Sequence, residues 1–220
     1  MNETPFPQPV SIASPRPLRS VEPWPGIALT GGTLPAFCRI GEIVEPATGT
    51  GRAVYAPLDQ PVILPRFMGR WYVIGIIPTR LERGNYNPVE TYRLDSKGQV
   101  CTWYRYRPDS FDAPVKLLAS TGLVQPDTGN AEWKVRFFGL FKAQYLVGWL
   151  APDYSQVMVV RDARDYLWYM ARTPSVPEAD YQAMLARAAA LGYDTSRIER
   201  VPQQWPETDQ DKDTFHGECR

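Results

Sequence analysis

The side chains that most often carry enzyme chemistry are scarce in this sequence. Its 220 residues include one histidine, His216, in a polar C-terminal run, and three scattered cysteines, Cys38, Cys101 and Cys219. A single imidazole so placed argues against a catalytic histidine and against His-ligated zinc or haem. Three thiols this far apart form neither a disulfide framework nor a structural zinc site. One pair could form in an oxidising compartment, leaving one thiol free. No metal and no cofactor is expected. Acid–base chemistry would rest on Glu90 beside Tyr92, and a lone Glu near a strand start belongs at a solvated rim. What the chain has in abundance is seven Trp and twelve Tyr. Such rings suit strands and apolar pockets, with polar edges that form hydrogen bonds. The formal net charge is zero and no charged run stands out, so the chain lacks the electrostatic footprint of a nucleic-acid binder.

The elements that must position these rings are short strands. Phe67-Met68-Gly69-Arg70-Trp71 leads into a β-branched apolar run, and strands are predicted over 70–77, 89–95, 99–107, 115–124, 131–138, 144–150, 156–161 and 166–172. Ser96-Lys97-Gly98, Pro108-Asp109-Ser110 and the cluster from Pro126 to Asn130 supply the turns between them. Eight short strands in succession predict an all-β antiparallel barrel or sandwich. The period then changes. Tyr181, Met184, Leu185, Ala188 and Leu191 recur at helical steps, with Pro177 at the start and Gly192 at the stop, which predicts a helix over 178–191. A further short strand is expected over 198–201, and a polar, frayed tail over 206–220.

Residues 1–65 hold twelve of the 22 prolines, so they form no regular sheet or long helix. They read as an extended arm, either a linker or a docking segment that touches the domain at Ile40, Ile43, Val54 and Tyr55. No stretch of 18 apolar residues is present. The first 25 residues lack the basic start and apolar run of a secretory signal, which leaves the cytoplasm as one expected location. Leu34-Pro35-Ala36-Phe37-Cys38 fits a lipoprotein cleavage box poorly.

Several segments, in order and at the right intervals, carry a resemblance. Gly69-Arg70-Trp71 opens the first strand. Asp153-Tyr154 lies between the sixth and seventh strands, with Pro152 where Thr is usual. Arg172 ends the eighth. Leu81-Glu82-Arg83-Gly84, the run from Val135 to Phe141, and Arg164-Asp165-Tyr166-Leu167-Trp168 onward to Pro174 add to these. Over residues 66 to about 205 the chain resembles the lipocalins, and most closely their bacterial outer-membrane group. The resemblance implies an eight-stranded up-and-down β-barrel with one C-terminal helix packed outside, a non-enzymatic carrier of a small hydrophobic ligand, and a place in the cell envelope. It makes Gly69, Trp71, Asp153, Tyr154 and Arg172 structural, with the Arg172 guanidinium over the Trp71 indole at the closed end. It leaves room for membrane association and for a homodimer.

With Trp71 inside, strand alternation places Val73 and Gly75 in the lumen and turns Ile74 and Ile76 toward the helix. On the other strands the expected lumen residues are Tyr92; Thr102, Tyr104 and Tyr106; Trp133, Val135 and Phe137; Val147 and Trp149; Met158 and Val160; and Tyr166, Trp168 and Met170. Arg105 and Arg107 belong outside. Arg80 and Arg83, at the open mouth, could meet a carboxylate or phosphate head group. The expected ligand is a fatty acid, a lysophospholipid or a similar lipid, unless the rings plug the interior. Two other readings remain open: an isomerase or cyclase using Glu90, and an interaction protein working through its N-terminal arm.

Overall fold

The computed structural model describes residue 58, residues 60–137, residues 141–207 and residue 219. The arm's Ile40, Ile43, Val54 and Tyr55, together with Cys38 and His216, lie outside the described residues. The chain enters the sheet through a one-turn helix, α1 (Leu64–Phe67). Gly69 follows at φ 94°, a conformation that a side chain would strain.

Eight antiparallel strands then close a barrel: β1 (Gly69–Ile77), β2 (Asn85–Leu94), β3 (Val100–Pro108), β4 (Lys116–Val124), β5 (Glu132–Phe137), β6 (Phe141–Leu150), β7 (Gln156–Val160) and β8 (Leu167–Ala171). Each strand pairs with the next, and β1 pairs with both β2 and β8. The helix α2 (Glu178–Ala190) lies outside, and a short ninth strand, β9 (Glu199–Arg200), adds to β1.

Two apolar clusters divide the protein. One lies within the barrel and includes Phe67, Trp71, Val73, Tyr92, Trp133 and Tyr145. The other joins the outer face to α2 and includes Ile74, Ile77, Leu167, Tyr169, Tyr181 and Met184. Burial on both sides explains why β1, β7 and β8 read as nearly continuous apolar runs.

Four expected lumen residues face the other way. The β1–β8 register shifts between Val73 and Gly75. Past that bulge the faces exchange. Gly75 therefore looks at α2, where a Cβ would stand 3.1 Å from Tyr181, and Ile76 belongs to the lumen cluster. A second shift between Val147 and Trp149 turns Trp149 outward, under the Arg187 guanidinium at 4.3 Å. On β7, Met158 and Val160 pack toward α2, while Val157 and Val159 face the lumen. Both faces of β7 are covered, so its alternation carries no polar mark to set the parity.

The barrel is not sealed by β1 and β2 alone. These strands pair only from Gly69 to Tyr72 on β1 and then part. A strap over 199–207 fills the seam. Val201 N–H donates to Ile74 O, Asn87 N–H donates to Pro202 O, and the Gln203 amide donates to both Val73 O and Pro88 O. Arg105 does lie outside the barrel, yet it is 1% exposed. Trp205 covers it, and it pairs with Glu207. Fraying over 206–220 is thus overturned at Glu207 and at Cys219, which is bonded to Cys101.

Candidate functional site

The closed end is built from the three motif positions. Phe67, fully buried, packs its ring against Trp71, Tyr92 and Trp133 at centroid distances of 5.2–5.4 Å. The Trp71 indole N–H donates to Phe67 O at 2.8 Å. The Arg172 guanidinium lies 3.7 Å from the Trp71 ring centroid and donates to the carbonyls of Arg70, Arg66 and Phe67. Burial lowers its pKa to about 10, so it stays charged at neutral pH. Tyr154 accepts the Ile63 N–H through its hydroxyl, and Asp153 accepts from Ser155 N–H and Oγ. Trp71, Tyr154 and Arg172 therefore bind backbone where the chain enters the barrel, while Asp153 holds its own turn.

Above this floor the lumen is aromatic. Trp133 stacks on Tyr145 at 4.5 Å, the hydroxyls of Tyr92 and Tyr145 bond at 2.9 Å, and Tyr104 lies parallel to Trp168 at 6.3 Å. Val73, Tyr92, Tyr104, Trp133, Val135, Val147 and Met170 all belong to the inner cluster, with Tyr106, Phe137 and Trp168 packed against it. Thr102 is buried with them. Tyr166 touches the Trp168 ring and bonds Gln144 O.

Glu90 is not at a solvated rim. It is 2% exposed, paired across the sheet with Trp71 on one side and Tyr104 on the other, and its Oε2 has no hydrogen-bond partner among the described residues. Burial raises its pKa well above the usual carboxylate value, and the neighbouring Glu82 adds to the effect. Burial raises Glu82 too, opposed chiefly by Thr79; its Oε2 accepts the Thr79 N–H at 2.8 Å. Glu82 turns inward from the mouth loop, while Arg80 and Arg83 on either side are exposed.

Sequence reasoning had quoted Glu82 in a motif without seeing that it is buried. It also missed Tyr145, which shares the parity of Val147 and could have been read from that. Glu82, Tyr104 and Ile76 line a cavity of about 200 Å³ that reaches the strap at Val201 and Pro202.

This architecture has relatives. A family model described as a lipocalin-like domain matches residues 62–203. The outer membrane lipoprotein Blc of Escherichia coli K12 is 33% identical over 148 residues, covering 63% of this chain and 77% of that protein. Temperature-induced lipocalin-1 of Arabidopsis thaliana is 28% identical over 150 residues, with the same coverage. Among solved structures, insecticyanin of Manduca sexta superposes with a TM-score of 0.51 at 17% identity, covering 70% of this chain and 87% of that one. Lobster apocrustacyanin A1 superposes with a TM-score of 0.51 at 14% identity, covering 64% and 79%. These two share the fold. The closed eight-stranded barrel, its sealed aromatic floor and these matches together place the chain in the lipocalin-like family.

Proposed function

We propose that the barrel binds and carries a small hydrophobic ligand, with fatty acids and lysophospholipids as the first candidates. The observation that carries this reading is a lumen walled by rings and methyl groups, sealed at one end by Phe67 and Trp71. An acyl chain of about 14 methylenes gains on the order of 11 kcal/mol gross at ~0.8 kcal/mol per CH₂, against association costs of roughly 4–15 kcal/mol. Micromolar binding needs no buried charge. Arg80 and Arg83 are exposed beside the mouth, where a carboxylate or phosphate left in water could meet them.

The cell envelope fits this reading. The Escherichia coli relative is named as an outer membrane lipoprotein, and the Cys101–Cys219 bond suits an oxidising compartment. The proposed test is native mass spectrometry of protein purified without added lipid, followed by titration with acyl chains while Trp fluorescence is read. A co-purifying amphiphile and quenching support the carrier; a barrel that takes up no amphiphile refutes it.

The burial of Glu90 favours a second reading, an isomerase-type enzyme. A buried carboxyl whose pKa is raised by its surroundings is a candidate general acid. Conversion of a bound lipid by the parent protein but not by Glu90→Gln would support it; recovery of the lipid unchanged from both would not.

A further inference from the structure

The lumen is unequal in its charges. Two carboxyls point into it, Glu90 in the depth of the barrel and Glu82 near the mouth, and each feels the other or the same tyrosines. Among the described residues, burial and the neighbouring Glu82 dominate Glu90, and Thr79 is the main partner of Glu82; Arg200 lines the cavity beside Glu82 but is engaged by Glu178 and the Tyr181 ring. Arg172, the cation at the floor, lies against the Trp71 ring and is committed to backbone carbonyls. The polar groups around Glu90 are also engaged: Tyr92 with Tyr145, and Tyr104 with the Asn85 amide. Among the described lumen residues Glu90 Oε2 is a buried acceptor without a donor, and the Trp168 indole Nε1 is a buried donor without an acceptor. Leaving a buried acceptor unpaired is costly, and a ligand group that donates to it removes that cost. The surrounding Tyr and Trp faces attract a cation as well.

We infer that the lumen selects an apolar amine, bound with its ammonium inward between Glu90 and Glu82 and its apolar body among the rings. This rests on the carrier reading and narrows it. A carboxylate entering the same way would meet two acids, and Arg200, the cation lining the cavity beside Glu82, is already paired with Glu178. An alcohol would donate to Glu90 Oε2 but bring no charge. The amine both donates and carries the sign that the site lacks. Carboxyl and ring contacts together offset the loss of water around the ammonium.

The test uses three probes of equal chain length, octylamine, octanol and octanoate, titrated separately into the full-length protein at one pH while Trp fluorescence is read. Octylamine should bind at least about tenfold more tightly than octanoate, which corresponds to 1.4 kcal/mol. Glu90→Gln, checked by thermal melting, should bring octylamine and octanoate within about threefold of each other; 1.4 kcal/mol per decade sets that scale. Octanoate binding as tightly as octylamine overturns the inference from the parent protein alone, whatever the variant does. A preference that survives in Glu90→Gln overturns the role of that carboxyl. Equal uptake of all three probes sinks this inference but not the carrier; uptake of none sinks both.

Discussion

Removal of the Arg172 side chain should cost stability before it touches ligand choice. The guanidinium lies 3.7 Å from the Trp71 ring centroid, and a desolvated contact of this type is worth about 2 kcal/mol. It also donates to Arg70 O at 2.8 Å, and a hydrogen bond from a charged group contributes about 1.5–3 kcal/mol. Three other acceptors lose less, among them Tyr154 O, whose bond from Arg172 Nε is long at 3.3 Å. The bond to Arg66 O is exposed, so water replaces the guanidinium there. Phe67 O keeps the Trp71 indole N–H. Truncation also relieves the desolvation that lowers the Arg172 pKa to about 10, which offsets part of the loss. The net cost of Arg172→Ala is about 3 kcal/mol. At roughly 2–4 °C per kcal/mol for a domain of this size, the melting temperature should fall by about 6–12 °C. Arg172→Lys keeps the charge but loses the planar group that spans several carbonyls, and should fall about half as far. The assay is thermal unfolding followed by circular dichroism, beside ligand titrations on the same samples. A fall under about 3 °C, which is below the smallest cost just worked out, would refute the argument. So would unchanged stability with altered ligand selectivity.

Two further outcomes follow from buried carboxylates of opposite behaviour. Glu90 has a raised pKa in the fold against about 4.3 unfolded. Below that value both states are neutral. Above it only the unfolded chain ionises, so stability falls as pH rises toward the folded pKa. Glu90→Gln cannot ionise, and its melting temperature should gain on the parent as pH rises above about 4.3; a difference that stays flat with pH would place Glu90 in water. Glu207 is the reverse case. Burial raises its pKa, but hydrogen bonds from Arg107, Arg105 and Asn87 outweigh this and bring it down to about 2. The stability it contributes is present above about pH 4.3 and is lost as pH falls toward 2. Glu207→Gln takes the carboxylate from a buried Arg105 and should cost about 3–5 kcal/mol. It should also flatten the parent's acid transition; a variant as stable as the parent at neutral pH would show that the strap does not hold the seam.

The seal of Trp71 and Arg172 at the closed end came from the lipocalin resemblance; the sequence alone determined the strand count, the turns and the outer helix. Those depend on local signals: alternation, Gly and Pro positions, a change of period, and side chains large enough to mark their face. Trp71, Tyr92, Tyr104, Trp133 and Met170 face inward for that reason. What only the tertiary structure decided was parity past a bulge and the fate of charges. One extra residue near Ile74 and another near Gly148 exchanged the faces of Gly75, Ile76 and Trp149, and a bulge leaves no mark in an apolar run covered on both sides. The seam between β1 and β2 is filled by residues more than a hundred positions away. No local pattern could show that Glu207 would neutralise Arg105, or that Glu82 and Glu90 would be buried together in the lumen, because burial of a charge is set by what the rest of the chain brings around it.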